Sequence, residues 1–367
     1  MEVKHRFPYK WKISETKFTK DKGTVFSCFA CGGGSSFGYK LAGFDVIGMN
    51  EIDKKMAECY IANHNPKYSF IEDIRVLKER EDLPKELYEL DILDGSPPCS
   101  SFSMAGNREK DWGKEKKFRE GQAEQVLDTL FFDFIDLAKK LQPKIVIAEN
   151  VKGILLGEAK EYVKKILVDF DKAGYIVKEF LLDASRMGVP QKRERVFFIA
   201  IRKDLAESLP QNETLFFEDF PLLDLVFFEN LIKFGDFKDE KGRELSEKMK
   251  ETWNKRNFGD SDMRAAYYRE FKKDKYFSQN FIYENEVPKT ITSHEDSLVL
   301  FSAPKYTSKD EVCKIGSFPL DYDFRKSKPH YIIGMSVPPI MTAQIASRIY
   351  EQWLKHLVVK KSDVKKL

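Results

Sequence analysis

The chain has no run of about eighteen apolar residues, so no segment of it reads as a membrane-spanning helix. Its opening stretch, MEVKHRFPYKWKISETKFTK, is charged throughout and lacks the apolar centre of a secretory signal. Cysteine is scarce: the five residues Cys28, Cys31, Cys59, Cys99 and Cys313 do not form a disulfide framework, which fits a reducing cytoplasm. Gly-Lys-Ser and Gly-Lys-Thr are both absent, which excludes a phosphate-cradling P-loop. Cys28 and Cys31 have no second Cys-x-x-Cys partner, and Cys28 lies in an apolar strand, so no metal site is expected. A zinc deaminase needs His-x-Glu and then Pro-Cys-x-x-Cys. Here Pro98-Cys99 is followed by Ser100, Ser101 and Phe102, with no cysteine at the motif spacing, and the nearest approach to the first motif is His294-x-Asp296, far downstream. The net charge of +3 is too small to demand a nucleic-acid partner, although local clusters of Lys and Arg set the field that matters. No internal repeat is visible.

What is present is ordinary globular composition, 42% hydrophobic and 33% charged, in 367 residues, enough for two domains or one large one. Residues 1–22 read as a loose basic arm. From Thr24 the pattern changes. TVFSCFA is a short apolar run, GGGSSFG a glycine turn, SSFGYKLAG helix-like, and FDVIGMNEID a second strand ending in acids. DKKMAECYIANH, EQVLDTLFFDFIDLAKKL and EYVKKILVDFDKAGY have helical spacing. ELDILDGSPPC, KIVIAENV, YIVKEFLLD and RVFFIAIRK read as strands. This alternation predicts an α/β domain over 23–203 with a doubly wound, mostly parallel sheet. Residues 204–287 show no such period; basic and aromatic residues are interleaved there, as in KMKETWNKRNFGDSDMRAAYYREFKKDKYF. On composition alone that texture suits a solvated helix pair over a small apolar core better than a nucleic-acid contact surface, the functional alternative. Residues 288–367 end in a helix, PPIMTAQIASRIYEQWLKHLV, expected to pack back on the first domain, and a frayed tail.

Three segments carry chemistry. Gly32, Gly33, Gly34 and Gly38 follow a strand and open a helix, where backbone can approach a ligand closely. Glu51 ends the next strand, placed to accept from ribose hydroxyls, and Asp73 sits where a third strand would end. The second segment is ILDGSPPCSSFS. Pro97 and Pro98 stiffen the chain as it leaves a strand, and Cys99 emerges where open α/β sheets bind ligands. A thiolate there is a strong nucleophile once its pKa is lowered. The third comprises Glu149 and Asn150 at the end of an apolar strand, with Gln191, Arg193 and Arg195 preceding another. Arg193 and Arg195 alternate along an extended segment and so share a face, able to meet a phosphate or a polarised carbonyl.

Together these segments resemble the DNA cytosine carbon-5 methyltransferase family of bacterial restriction–modification systems. FACGGG is similar to its cofactor motif, SPPC to its catalytic Pro-Cys, ENV to its acid motif and QKRERVFFI to its arginine motif. YTSKDEVCKIGSFPLDY and IIGMSVPP are similar to its last two blocks, so the likeness covers 24–203 and 288–355 in family order. It departs at Cys31, where the family has Gly, and at Met335, where it has Asn.

The resemblance implies a sheet of the S-adenosylmethionine-dependent methyltransferase type. It implies a smaller, irregular target-recognition domain at 204–287. The implied reaction moves a methyl group from S-adenosylmethionine, leaving S-adenosylhomocysteine, to carbon 5 of a flipped-out cytosine in double-stranded DNA. Cys99 attacks ring carbon 6, Glu149 holds a proton at ring nitrogen 3, Arg195 contacts the base carbonyl, and Arg193 positions Cys99 or a phosphate. The implied cofactor contacts are Phe29, Ala30, Gly32, Gly33 and Gly34 around the methionine, Glu51 on the ribose, Ile52 and Asp73 on adenine, and Pro98 and Ser336 closing the site. SFSMAGNREKDWGKEKKFREG is expected to be a mobile loop that closes on DNA. A cognate restriction endonuclease would share the system without contact being implied, in the cytoplasm and away from membranes. A tRNA cytosine methyltransferase of the same fold would carry a Cys-Phe-Thr signature, and 204–287 contains no cysteine. A nicotinamide oxidoreductase leaves SPPC, ENV and QKRER without a role, and the intact Cys99, Glu149 and Arg195 speak against a catalytically dead DNA-binding protein.

Overall fold

The computed structural model describes residues 5–98, 129–157, 159–209, 220–273 and 279–357. Cys99, the expected mobile loop after it and the tail from 358 lie outside the described residues.

The βα alternation expected from sequence is present. Strand β1 (Thr24–Cys28) leads through the glycine turn to helix α1 (Gly34–Leu41), then come β2 (Asp45–Asn50), α2 (Lys54–His64), β3 (Tyr68–Phe70), α3 (Ile74–Glu79) and β4 (Ile92–Gly95). Asp53 and Asp73 cap α2 and α3, Asp53 accepting from the Lys55 and Met56 backbone N–H groups and Asp73 from that of Arg75. The chain continues through α4 (Leu130–Leu141), β5 (Ile145–Val151), α5 (Ala159–Lys172), β6 (Tyr175–Asp183), β7 (Glu194–Arg202) and the short α6 (Lys203–Ala206). The sheet order is β3-β2-β1-β4-β5-β7-β6. The first five strands run parallel, and β7 is antiparallel to both neighbours. The strand order reverses between β1 and β4, the crevice where such sheets bind ligands.

Period-two alternation divides the core into two layers. Phe198 and Ala200 join Phe26, Leu93 and Val146 under α4 and α5. Phe197, Ile199 and Ile201 join Val25, Ile92 and Ile145 on the opposite face, under the final helix. All of these side chains are buried, so both faces are covered, as a largely parallel sheet requires.

Beyond α6 come α7 (Glu247–Asn254), α8 (Met263–Phe271), β8 (Asn280–Ile282), β9 (Leu298–Leu300), α9 (Lys309–Ile315), α10 (Pro329–Met335) and α11 (Pro339–Gln352). Two boundaries differ from those read in the sequence. Phe220, Leu223 and Leu225 point inward at near-alternate positions and pack in the same layer as α11, so this stretch belongs to the first domain. The expected break at 287/288 falls between β8 and β9, which pair in parallel. The small unit has its own core of Leu245, Trp253, Met263, Phe281, Val299 and Tyr306.

The N-terminal segment is docked where a loose arm was expected. Trp11 is buried and its indole N–H donates to the Ser317 carbonyl at 3.0 Å. Asp321 accepts from the Ile13 and Ser14 backbones, and His5 pairs with Glu229. Phe7, Tyr9, Trp11 and Ile13 alternate through the basic residues, and this apolar edge finds its partners in distant segments.

Candidate active site

The glycine turn is tightly constrained. Phe29, Cys31 and Gly33 have φ of 51°, 47° and 80°, all left-handed. For Cys31 this conformation costs about 1 kcal/mol that glycine avoids. A side chain on Gly33 would strike His64 Nε2 at 2.1 Å. The His64 ring stacks on Tyr60 at 4.3 Å and against Phe37 at 3.9 Å. Burial and the nearby Lys40 charge push its pKa well below the usual value, so it stays neutral.

Gly32 and Gly34 face the returning chain. A Cβ on Gly32 would lie 2.3 Å from Ile332, and one on Gly34 would lie 2.1 Å from the Val337 carbonyl. Tyr322 donates to the Gly32 carbonyl at 2.7 Å. These glycines admit α10 and α11 against the turn. Ser336 is buried beside them and its hydroxyl donates to the Ile332 carbonyl. Met335, where the family has Asn, packs against the apolar cluster that includes Phe318 and Ile332.

At the end of β2, the Glu51 carboxylate accepts from the backbone N–H groups of Cys31 and Asp53, both at 2.8 Å. These bonds aim it between the turn and the start of α2. Ile52 beside it is 41% exposed and offers an apolar face at the crevice. Asp73 is gripped by Arg75, whose guanidinium donates to it at 2.6 Å. Burial would raise the Asp73 pKa, but the hydrogen bonds and charge of Arg75 outweigh it and hold the carboxyl below the usual range. The donor and acceptor set fits a nucleoside: an oriented acid for a diol, an apolar face for a base, and a second acid that Arg75 must share.

On the other side of the crevice, β4 ends at Gly95 and runs into Pro97 and Pro98. The Asn150 side-chain amide donates to the Pro97 carbonyl at 3.3 Å, joining the end of β5 to the proline turn. Glu149 and Arg195 occupy facing strands, since Glu149 is opposite Phe197 and Val151 opposite Arg195. Arg195 Nε lies 3.0 Å from Glu149 Oε1, with both side chains nearly buried. Burial lowers the Arg195 pKa, and the Glu149 charge opposes that shift.

Arg193 does something different from what its spacing implied. Its guanidinium is buried and donates to the carbonyls of Ile291, Gly334 and Ser336. Desolvation, with repulsion from Arg195, pushes its pKa down to about 9. Arg193 therefore fastens the return segment to the sheet and is not presented to a phosphate. Local alternation placed it beside Arg195, but its partners lie about a hundred residues or more away in sequence.

One buried group had no signal of its own in the sequence. The Asp94 carboxyl, at the end of β4, accepts from Ser27 Oγ at 2.7 Å and Tyr39 Oη at 3.0 Å. It thus ties β1, α1 and β4 together below the crevice. Burial pushes its pKa up to about 7, against the two hydrogen bonds and helped by the Glu149 charge.

Sheet order, glycine turn and acid–arginine pair together define a doubly wound α/β protein whose crevice joins a nucleoside-fitting side to an ion-paired acid. The chain belongs to the C-5 cytosine-specific DNA methylase family, whose model matches residues 23–351. The type II methyltransferase M.FnuDI of Fusobacterium nucleatum is 40% identical over 181 residues, 49% of this chain and 47% of that protein. M.NgoPII of Neisseria gonorrhoeae is 39% identical over 194 residues, 52% of each chain. The chain thus spans about half the length of these relatives. M1.HphI of Haemophilus parahaemolyticus is 27% identical over 341 residues, 89% of this chain and 86% of that protein. Among solved structures, one described as a DNA modification methyltransferase from an E. coli prophage matches with a TM-score of 0.66 at 20% identity. It covers 90% of this chain and 99% of that one. The S. pombe Dnmt2 methyltransferase matches with a TM-score of 0.57 at 15% identity, over 90% of this chain and 98% of that one. These two likenesses concern the fold.

Proposed function

We propose that this protein methylates carbon 5 of cytosine in a specific site of double-stranded DNA, using S-adenosylmethionine. The observation that carries this reading is the Glu149–Arg195 pair, held at the crevice beside the proline turn that leads to Cys99. The names of the type II relatives support it.

A cytosine stacked in a duplex is out of reach, so the target base must be flipped out, at a cost of a few kcal/mol. Cys99 then adds through sulfur to ring carbon 6, breaking aromaticity and making carbon 5 enamine-like. Glu149 holds a proton at ring nitrogen 3 and so offsets the negative charge that develops on attack. Arg195 meets the base carbonyl and, through its ion pair, orients Glu149. When bound, S-adenosylmethionine supplies the methyl group for carbon 5. A water takes the carbon-5 proton, and Cys99 leaves as ring aromaticity returns. Glu51 and Ile52 would hold the ribose and adenine, Asp73 the adenine amino group, Phe29 and Ala30 the methionine end, with Pro98 and Ser336 alongside. Residues within 204–287 would contact the duplex. A cytoplasmic restriction–modification system with a cognate endonuclease is the setting that the type II relatives suggest.

The test is incubation with S-adenosylmethionine and DNA carrying 5-fluorocytosine in the target site. Fluorine does not leave as a cation, so the covalent adduct is expected to accumulate with wild type and to vanish in Cys99→Ala. Absence of an adduct with any target-containing DNA, or its survival in Cys99→Ala, would sink the mechanism.

A further inference from the structure

Phe258 is 81% exposed, yet the turn that carries it is locked from several directions. Asp260 accepts from the Asn257 backbone at 2.7 Å and from both terminal nitrogens of Arg269 at 2.6 and 2.7 Å. The same Arg269 donates to the Lys255 carbonyl at 2.7 Å, so α8 clamps both ends of the turn. Gly259 supplies φ of +95° and donates its N–H to the Tyr283 hydroxyl, which in turn donates to the Asp260 carbonyl. Beneath Phe258, Tyr283 stacks on Phe301 at 4.5 Å, and both meet the Phe258 ring edge-on. Arg256 lies over the Trp253 and Phe301 rings, with Nε donating to the Phe301 carbonyl at 2.8 Å. The result is a rigid aromatic tip on a cation–aromatic base. Its ordering cost is met in folding, which favours whatever it binds.

Charge and position indicate the partner. Residues 241–273 contain ten Lys or Arg against six Asp or Glu, a net of +4, while the whole chain carries only +3. The rest of the chain therefore sums to −1, and the positive excess sits on the segment that presents Phe258. Lys289 Nζ donates to the Ser261 carbonyl, and Lys289 bridges to Lys192, three residues before Arg195. Fully stretched, the route from Arg195 through these residues to Phe258 is roughly 40 Å, close to one turn of B-DNA.

We propose that Phe258 is a fixed aromatic contact to the DNA duplex, stacking or wedging against a base within about one helical turn of the target cytosine. This rests on the reading of the protein as a DNA methyltransferase, and it names the residue that reaches the duplex from the small unit. Basic residues around the tip neutralise phosphates, and the ring adds a contact that salt does not screen.

The test uses a library of duplexes with a randomised centre, sorted on the wild-type protein in the presence of S-adenosylhomocysteine, with the enriched duplexes labelled for anisotropy. Phe258→Ala is expected to bind them about tenfold more weakly or worse, with unchanged melting temperature and S-adenosylhomocysteine affinity. Phe258→Trp is expected to stay within about threefold of wild type. Phe228→Ala, which removes an 86% exposed ring from the stretch before the small unit, should bind like wild type. The proposal is overturned if Phe258→Ala binds within threefold of wild type, if Phe228→Ala loses as much, or if the library yields no enriched duplex. It is also overturned if Phe258→Ala changes only the oligomeric state. If enriched duplexes are bound through Phe258 but no cytosine is methylated, the contact stands and the activity reading falls.

Discussion

The crevice of the sheet and the small unit over 241–306 solve opposite problems. At the crevice, three buried charged groups are held by protein partners: Glu149 by Arg195, Glu51 by the Cys31 and Asp53 backbones, Arg193 by three carbonyls. In the small unit the notable groups face outward, with Phe258 exposed and the cations around it lying mostly near solvent. Burial makes a charged contact costly to lose, whereas an exposed ring is dispensable to folding. Substitutions at the crevice should therefore cost stability and chemistry together. Those at the tip of the small unit should cost only what it binds.

The largest expected effect is at Glu149. Glu149→Gln keeps the shape but leaves Arg195 buried without its counter-charge, and it removes the proton holder. A loss of about 10²–10⁴ in kcat is expected in a methyl-transfer assay, with destabilisation of about 3 kcal/mol in denaturant unfolding. Wild-type stability with lost activity would show that the pair matters only for chemistry, breaking the link drawn for the crevice.

Arg193→Met separates the two arginines. It strands three carbonyls and should destabilise by roughly 3 kcal/mol, yet leave the salt dependence of DNA binding unchanged, because no phosphate contact is lost. A weaker salt dependence at unchanged stability would return Arg193 to the role that its spacing suggested.

Asp94 adds a pH test. Its folded pKa, about 7, lies above the value of an unfolded aspartate. Between pH 4 and 7 the folded state thus keeps a proton that the unfolded chain has released, and stability falls as pH rises through that window. The fall should be on the order of 2–4 kcal/mol, and Asp94→Asn should flatten it. An identical pH profile in the variant would remove Asp94 from the account.

The smallest effect is at Cys31. Cys31→Gly relieves the left-handed backbone and should stabilise by about 1 kcal/mol, raising the melting temperature slightly without changing the order of the other effects. A fall in stability would show that the thiol is worth more to the turn than the strain it carries.

Much of the crevice was legible in the sequence because it is built from local signals. A strand, a glycine turn and a helix in succession announce themselves by period and composition. Glu51, Glu149 and Arg195 are strand-end residues, and in a doubly wound sheet strand ends converge. The small unit was not legible in this way. Its core joins Leu245, Trp253, Phe281 and Tyr306 across a break read at 287/288, and no periodicity marks a pairing of three-residue strands. The docking of the N-terminal segment has no local signal for a related reason. Its apolar residues are spaced among lysines and arginines, and their partners lie far along the chain.

Local patterning along the chain suffices for the alternating sheet, the order of the chemical motifs and the family, because each depends on residues close to one another in the chain. Which arginine faces Glu149 and which is a fastening depends on long-range packing. The same packing requires Gly32 and Gly34 beside Ile332 and Val337. It brings Asp94 under the crevice with Ser27 and Tyr39. Each of these turns on a contact between residues tens to hundreds of positions apart, and such contacts exist only once the chain has closed on itself.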